Sequence, residues 1–125
     1  MSRLLYTSLF VLVIIITLFD TSSAISGDAT FFTPGLGACG QTNSTEDFIF
    51  ALSGERFGSS PGGNPNDNPN CGRQAKITRG TKSVTVTCVD RCAGCGPDDV
   101  DLSPAAFDEI AAPDEGRVPV TWDFV

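Results

Sequence analysis

Apolar and polar residues alternate with a period of two in several short runs, a pattern that predicts a chain built mostly from strands. The first run is Gly27 to Thr33 (GDATFFT), broken by Pro34-Gly35-Leu36-Gly37. The second is Asp47 to Leu52 (DFIFAL), after which Ser53 to Phe57 reads as one helical turn stopped by Gly58. Gln74 to Thr78 and Ser83 to Val89 read as a hairpin around Arg79-Gly80-Thr81. Val84, Val86 and Cys88 fall on one face of it, Thr85 and Thr87 on the other. Val118, Val120, Trp122 and Phe124 alternate with Pro119, Thr121 and Asp123, which makes a last strand with one buried face. That places Trp122 in the core; a sugar-stacking platform is the sharper alternative.

One stretch breaks the period, Val89 to Phe107 (VDRCAGCGPDDVDLSPAAF). It runs from strand through a cysteine turn and an acidic crossing to a helix start. Ser103 is the expected N-cap, its hydroxyl accepting from a free N–H of the first turn. Pro104 falls at the first helical position, where a missing N–H costs nothing. Leu102 and Phe107 occupy the two ends of a hydrophobic staple. The helix is expected over Pro104 to Ala111, closed by Pro113.

Residues 1–24 read as a secretory signal rather than part of the fold. Arg3 is followed by an apolar run of 16 residues from Leu4 to Phe19, short of the ~20 that span a bilayer. Ser22 and Ala24 sit at the −3 and −1 positions of a cleavage site. The remainder, 25–125, suits one secreted domain. Within it 59–70 (SSPGGNPNDNPN) lacks any large apolar side chain and reads as a mobile surface loop.

Without Arg3 and Asp20 the chain holds 7 Lys+Arg against 14 Asp+Glu, net −7. That balance argues against nucleic acid and anionic membrane as partners. Arg73, Lys76, Arg79, Lys82 and Arg91 form a basic cluster, read as a solvated hairpin rather than a ligand groove. There is no histidine, which removes Ser-His-Asp and Cys-His catalysis and histidine metal sites. Asn43-Ser44-Thr45 is a glycosylation sequon.

Five cysteines in a small secreted chain predict disulfides with one thiol left over. Cys92-Ala93-Gly94-Cys95 can close on itself across a tight turn. Cys39 and Cys71 each precede a glycine and border a loop, which makes them natural partners. Cys88, on the apolar strand face, then stays free and behaves as a small hydrophobe. A thioredoxin-like use of the CxxC lacks its βαβ pattern. An iron–sulfur use of Cys88, Cys92 and Cys95 lacks a suitable host fold. No metal and no cofactor is expected.

These pieces together resemble a known family. GDATFFTPGLGACGQTN, the CG before a strand, VTVTCVDRCAGC and DLSPAAF are similar to the secreted double-psi β-barrel proteins. These include expansins, fungal loosenins, rare-lipoprotein-A-like and barwin-like proteins, and the single-domain loosenins are most similar. The resemblance spans nearly all of Gly27 to Val125. It implies a mainly β fold, a six-stranded double-psi β-barrel with one short α-helix, and a groove that takes cell-wall polysaccharide of the cellulose or chitin class. It also implies that Thr30, Asp90 and Asp101 are the groove residues. A tyrosine of bacterial expansins is replaced by Cys92, and their second binding domain is absent.

Glycoside hydrolysis commonly needs an acid and a base flanking the bond. Asp101 matches the general-acid position of related barrel endoglucanases. Their base position falls in Phe32-Thr33-Pro34-Gly35, which has no carboxylate, and Asp28 lies on the near side of Thr30. The expectation is a secreted monomer that loosens polysaccharide without cutting it, through Thr30, Asp90 and Asp101. The neighbours Asp98 and Asp99 are expected to disfavour the ionised form of Asp101, and partial burial in a groove to act in the same direction. Two other classes stand beside it, a weak endoglucanase or lytic transglycosylase, and a barwin-like or protease-inhibiting binding protein.

Overall fold

The alternating runs close on one another as a barrel, because each has one apolar face to bury and none can bury it alone. The protein is described here by a computed structural model covering residues 10–15 and 24–125. Of the expected signal segment, 1–24, only residues 10–15 and 24 are among those described, and the rest of it lies outside them. The strands are β1 (Ile25–Phe31), β2 (Ile49–Ser53), β3 (Gln74–Arg79), β4 (Lys82–Cys92), β5 (Val100–Leu102) and β6 (Val118–Phe124). They close in the order β1-β5-β2-β4-β3-β6. β1 runs parallel to β5 and β2 parallel to β4, while the other four pairings are antiparallel. This is the expected six-stranded double-psi barrel.

Two short helices accompany it, α1 (Gly54–Phe57) and α2 (Pro104–Asp108). Ser53 caps α1 by accepting from Arg56 N, and Ser103 caps α2 by accepting from Ala106 N. α2 ends about a turn earlier than its apolar pattern suggests. Ala106, Phe107 and Ile110 are nonetheless fully buried, and so is Leu102 at the other end of the staple. The same core holds Phe50, Leu52, Ile77, Val86, Val100 and Trp122. Trp122 is 1% exposed, so the sugar-platform alternative is overturned. Its Nε1 donates to Asp98 O at 2.9 Å, and Phe50 and Phe124 pack edge-on against its ring.

The acidic crossing contains a strand that the periodicity did not reveal. β5 is only 3 residues long, too short to display a repeat. A glycine marks where the crossing is pressed against β1. A Cβ on Gly27 would lie 2.0 Å from Asp98 O. The 59–70 segment, read from its composition as a mobile loop, forms 3-10 turns at Pro61–Gly63 and Pro65–Asp67. It is held by a polar anchor rather than an apolar one. Asn68 is buried and donates Nδ2 to Phe57 O at 2.9 Å and to Ser60 Oγ at 3.1 Å.

Cys39 bonds Cys71 and Cys92 bonds Cys95, while Cys88 is free and buried. Burial pushes the Cys88 thiol up to about 11, so it is protonated and inert at neutral pH. The Cys39–Cys71 bond spans 32 positions. On the loop-entropy account, replacing both residues by alanine should lower unfolding stability by ~3 to 4 kcal/mol. Urea titration of the double variant measures this, and an unchanged midpoint would show that the loop contributes no such constraint.

Candidate functional site

Strand register brings the expected residues together. Ala51 of β2 pairs with Asp90 of β4 on one side and with Asp101 of β5 on the other. Asp101 in turn pairs with Thr30 of β1. Asp90, Ala51, Asp101 and Thr30 therefore form one row across four adjacent strands. Their sequence neighbours Ala29, Phe50, Leu52, Val100 and Leu102 all enter the core. By the two-residue period the row lies on the face away from the central core, where Thr30, Asp90 and Asp101 are half-buried and Ala51 is 3% exposed. A strand spacing of about 4.8 Å puts the Asp90 and Asp101 backbones roughly 10 Å apart.

Ala51 was not legible as a site residue. An alanine in an apolar run reads as core, and Ala51 is indeed buried, but it lies outside the central cluster and pairs with both carboxylates. The period offered the one available signal, since Phe50 and Leu52 cannot both point inward unless Ala51 points out.

Thr30 Oγ1 donates to Asp101 Oδ1 at 2.9 Å. Asp101 Oδ2 faces the Cys92 sulfur at 3.8 Å. Partial burial raises the Asp101 pKa above the ordinary carboxylate value, with Asp90 adding to the rise; the Thr30 bond and the positive charge of Arg117 oppose it. The direction matches the sequence expectation, and so does burial as its cause; the expected contributions of Asp98 and Asp99 do not appear. Asp98 is paired with Arg56 at 2.7 Å. Asp99 accepts from Asp28 N at 2.9 Å and Gly96 N at 3.2 Å, and lies 3.5 Å from Arg117. Both carboxylates serve to fasten the crossing. Arg117 was also missed, because one basic residue between Gly116 and Val118 carries no pattern.

Asp90 is differently placed. Its Oδ1 accepts from Ala38 N at 2.9 Å and from Arg91 N at 2.8 Å. It ties the 34–42 loop to the end of β4. Gly37 makes that seat possible, since a Cβ there would meet Val89 O at 2.4 Å. Asn43, the sequon residue, is half-buried and gives Nδ2 to Asp47 Oδ2 at 3.2 Å, which works against its use as a glycan acceptor. A cleft of about 320 Å³ lined by Ser26, Gly27, Thr78, Arg79, Pro119 and Val120 contains none of the row.

The closed six-stranded barrel, with β1 parallel to β5 and β2 parallel to β4, has the architecture of the double-psi class. The chain belongs to the family described as lytic transglycolase, a rare-lipoprotein-A-like double-psi β-barrel family, which matches residues 24–122. Among relatives, the allergen Asp f 7 homolog of Arthroderma benhamiae is 40% identical over 102 residues, covering 80% of this chain and 32% of that protein. The chain thus spans about a third of that relative's length. The papain inhibitor of Streptomyces mobaraensis is 32% identical over 104 residues, covering 81% of this chain and 71% of that protein. A solved Streptomyces papain inhibitor superposes with a TM-score of 0.75 at 30% identity, over 83% of this chain and 96% of that one. A Clavibacter michiganensis expansin solved with cellohexaose superposes with a TM-score of 0.68 at 23% identity, over 82% of this chain and 50% of that one. That last likeness is one of fold. Among the described residues no helix is long and apolar enough to cross a membrane.

Proposed function

We propose that the protein is exported, with residues 1–24 removed, and binds cell-wall polysaccharide of the cellulose or chitin class along the Asp90–Ala51–Asp101–Thr30 row, loosening it without cleavage. The observation that carries this reading is the inequality of the two acids. Asp101 has one oxygen steadied by Thr30 and is free of any ion pair within 4 Å among the described residues. Asp90 has one oxygen committed to two backbone N–H groups. A pair of that kind supplies a recognition group and its support rather than an acid and a mobile base. A rigidly held carboxylate suits directional recognition of sugar hydroxyls.

The experiment is sedimentation with insoluble cellulose and chitin, with soluble sugar measured on the same samples. Binding without sugar release is expected. Ala51 is 3% exposed, so Ala51→Phe must push outward to be accommodated; where circular dichroism shows a folded variant, it should block the row and abolish the binding. Binding retained by a folded Ala51→Phe variant would move the glycan elsewhere. Steady sugar release lost in Asp101→Asn would turn the reading to a lytic transglycosylase or endoglucanase.

A second reading, a protease-inhibiting protein, is favoured by the papain-inhibitor likeness, which extends over 96% of that chain. Titration of papain with the protein, and with Asp101→Asn, separates the two. Stoichiometric inhibition unaffected by the substitution would favour the protein partner.

A further inference from the structure

We infer that Cys92, Cys95 and Asp101 form a site for a thiophilic divalent cation, Zn²⁺ or Co²⁺, that opens when the Cys92–Cys95 disulfide is reduced. The two sulfurs and a carboxylate oxygen of Asp101 lie within 4.8 Å of one another. In the oxidised protein the sulfurs are spent on each other and offer no thiolate. Reduction frees two ligands already on the same side of one turn, closed by Cys95 N donating to Cys92 O at 3.4 Å. That two-residue spacing is the usual one for paired thiolate ligands. Tetrahedral zinc with Zn–S distances of about 2.3 Å needs the sulfurs roughly 3.8 Å apart. A Cβ on Gly94 would meet nothing within 4 Å, so this part of the turn between the two cysteines is not packed against the rest of the fold.

The third ligand is prepared as well. Thr30 holds Oδ1 of Asp101, and Oδ2 is the oxygen that faces Cys92. A hydrogen bond that pins one oxygen and aims the other is what orients a carboxylate ligand. Two thiolates and one carboxylate leave a fourth tetrahedral position for water.

The chemistry balances with an external small-molecule dithiol as reductant. The dithiol transfers two electrons and two protons to the Cys92–Cys95 bond and leaves as its own cyclic disulfide. The cation then displaces the two thiol protons to solvent. Mild reduction should favour this bond over Cys39–Cys71. It closes a loop with a sequence separation of 3 against 32, so the fold loses less chain constraint when it opens.

The site shares Asp101 and Thr30 with the glycan row, but its test reads metal binding alone, so the two readings fail separately. The test reduces the whole secreted chain with dithiothreitol, removes the reagent under argon, and titrates with Co²⁺. One equivalent should bind with a thiolate-to-cobalt charge-transfer band that Zn²⁺ bleaches, and the oxidised protein should give none. Zn²⁺ should protect Cys92 and Cys95 from iodoacetamide, as located by peptide mapping. Thr30→Val should weaken Co²⁺ binding by ~10- to 100-fold, and Asp101→Ala by at least as much. No band in the reduced wild type, or protection mapping to Cys39, Cys71 or Cys88, would overturn the site. So would Co²⁺ affinity unchanged in both variants.

Discussion

Trp122→Ala is expected to lower unfolding stability by ~3 to 5 kcal/mol, a large part of the 5 to 15 typical of a domain. The residue is 1% exposed and packs against Phe50 and Phe124 in the barrel centre. Truncation removes that contact and leaves a cavity. It also strips the partner from Asp98 O, which accepts from the indole N–H at 2.9 Å. An unpaired carbonyl there adds roughly 1 to 3 kcal/mol. Trp122→Phe separates the parts, since it keeps a ring and loses only the N–H and some volume. Because Asp98 begins the crossing that carries Asp99 and Asp101, Trp122→Phe should also loosen the Thr30–Asp101 bond, seen as faster amide exchange at Asp101. Denaturant midpoints give the stability values. A loss below about 1 kcal/mol for Trp122→Ala would mean that the barrel closes without the indole.

Much of this arrangement was legible in the sequence for identifiable reasons. The strands with four or more alternating positions were visible because one face of each is buried and the other wet. The α2 cap was visible because Ser103, Pro104 and the Leu102/Phe107 pair agree. Both disulfides followed from spacing and loop context. Asp90 and Asp101, by contrast, entered only through family resemblance, and nothing in local pattern shows that Ala51 joins them in one row. That row depends on the parallel pairing of β2 with β4 and a register shift between Phe50 and Ala51, which is a property of closure and not of any segment. The charged neighbours behind the Asp101 pKa rise were hidden likewise. Partial burial was expected of a groove carboxylate and is the first cause, but sequence proximity also pointed to Asp98 and Asp99, which the fold pairs with Arg56 and Arg117, leaving Asp90 as the like-charged neighbour.

Asp101→Asn should flatten the pH dependence of wall weakening and reduce its magnitude at mildly acidic pH. The sign follows from the direction of the shift. Burial raises the folded-state pKa of Asp101 above the ordinary aspartate value, so ionisation is disfavoured in the folded state and protonation relieves that penalty as pH falls. A protonated Asp101 can donate to a glycosidic oxygen, which an ionised one cannot. Weakening by the wild type should therefore rise as pH falls through the raised pKa. The charges that face this carboxylate set the slope. Asp90 on β4 and Arg117 before β6 act in opposite senses, and the Thr30 hydroxyl holds one oxygen. Asparagine keeps the shape, still accepts from Thr30 through Oδ1, and donates through Nδ2 at every pH. The variant should thus fold normally and be no less stable at neutral pH, having lost the ionised form that burial penalises. Arg117→Gln supplies the complementary shift. Removing the positive charge should move the rise to higher pH, whereas a purely structural Arg117 would leave it in place. The measurement is filter-paper weakening against pH for the three proteins. A wild-type curve that is flat, or one that Asp101→Asn leaves unaltered, would return Asp101 to the role of a strand residue that merely fastens β5 to β1 through Thr30.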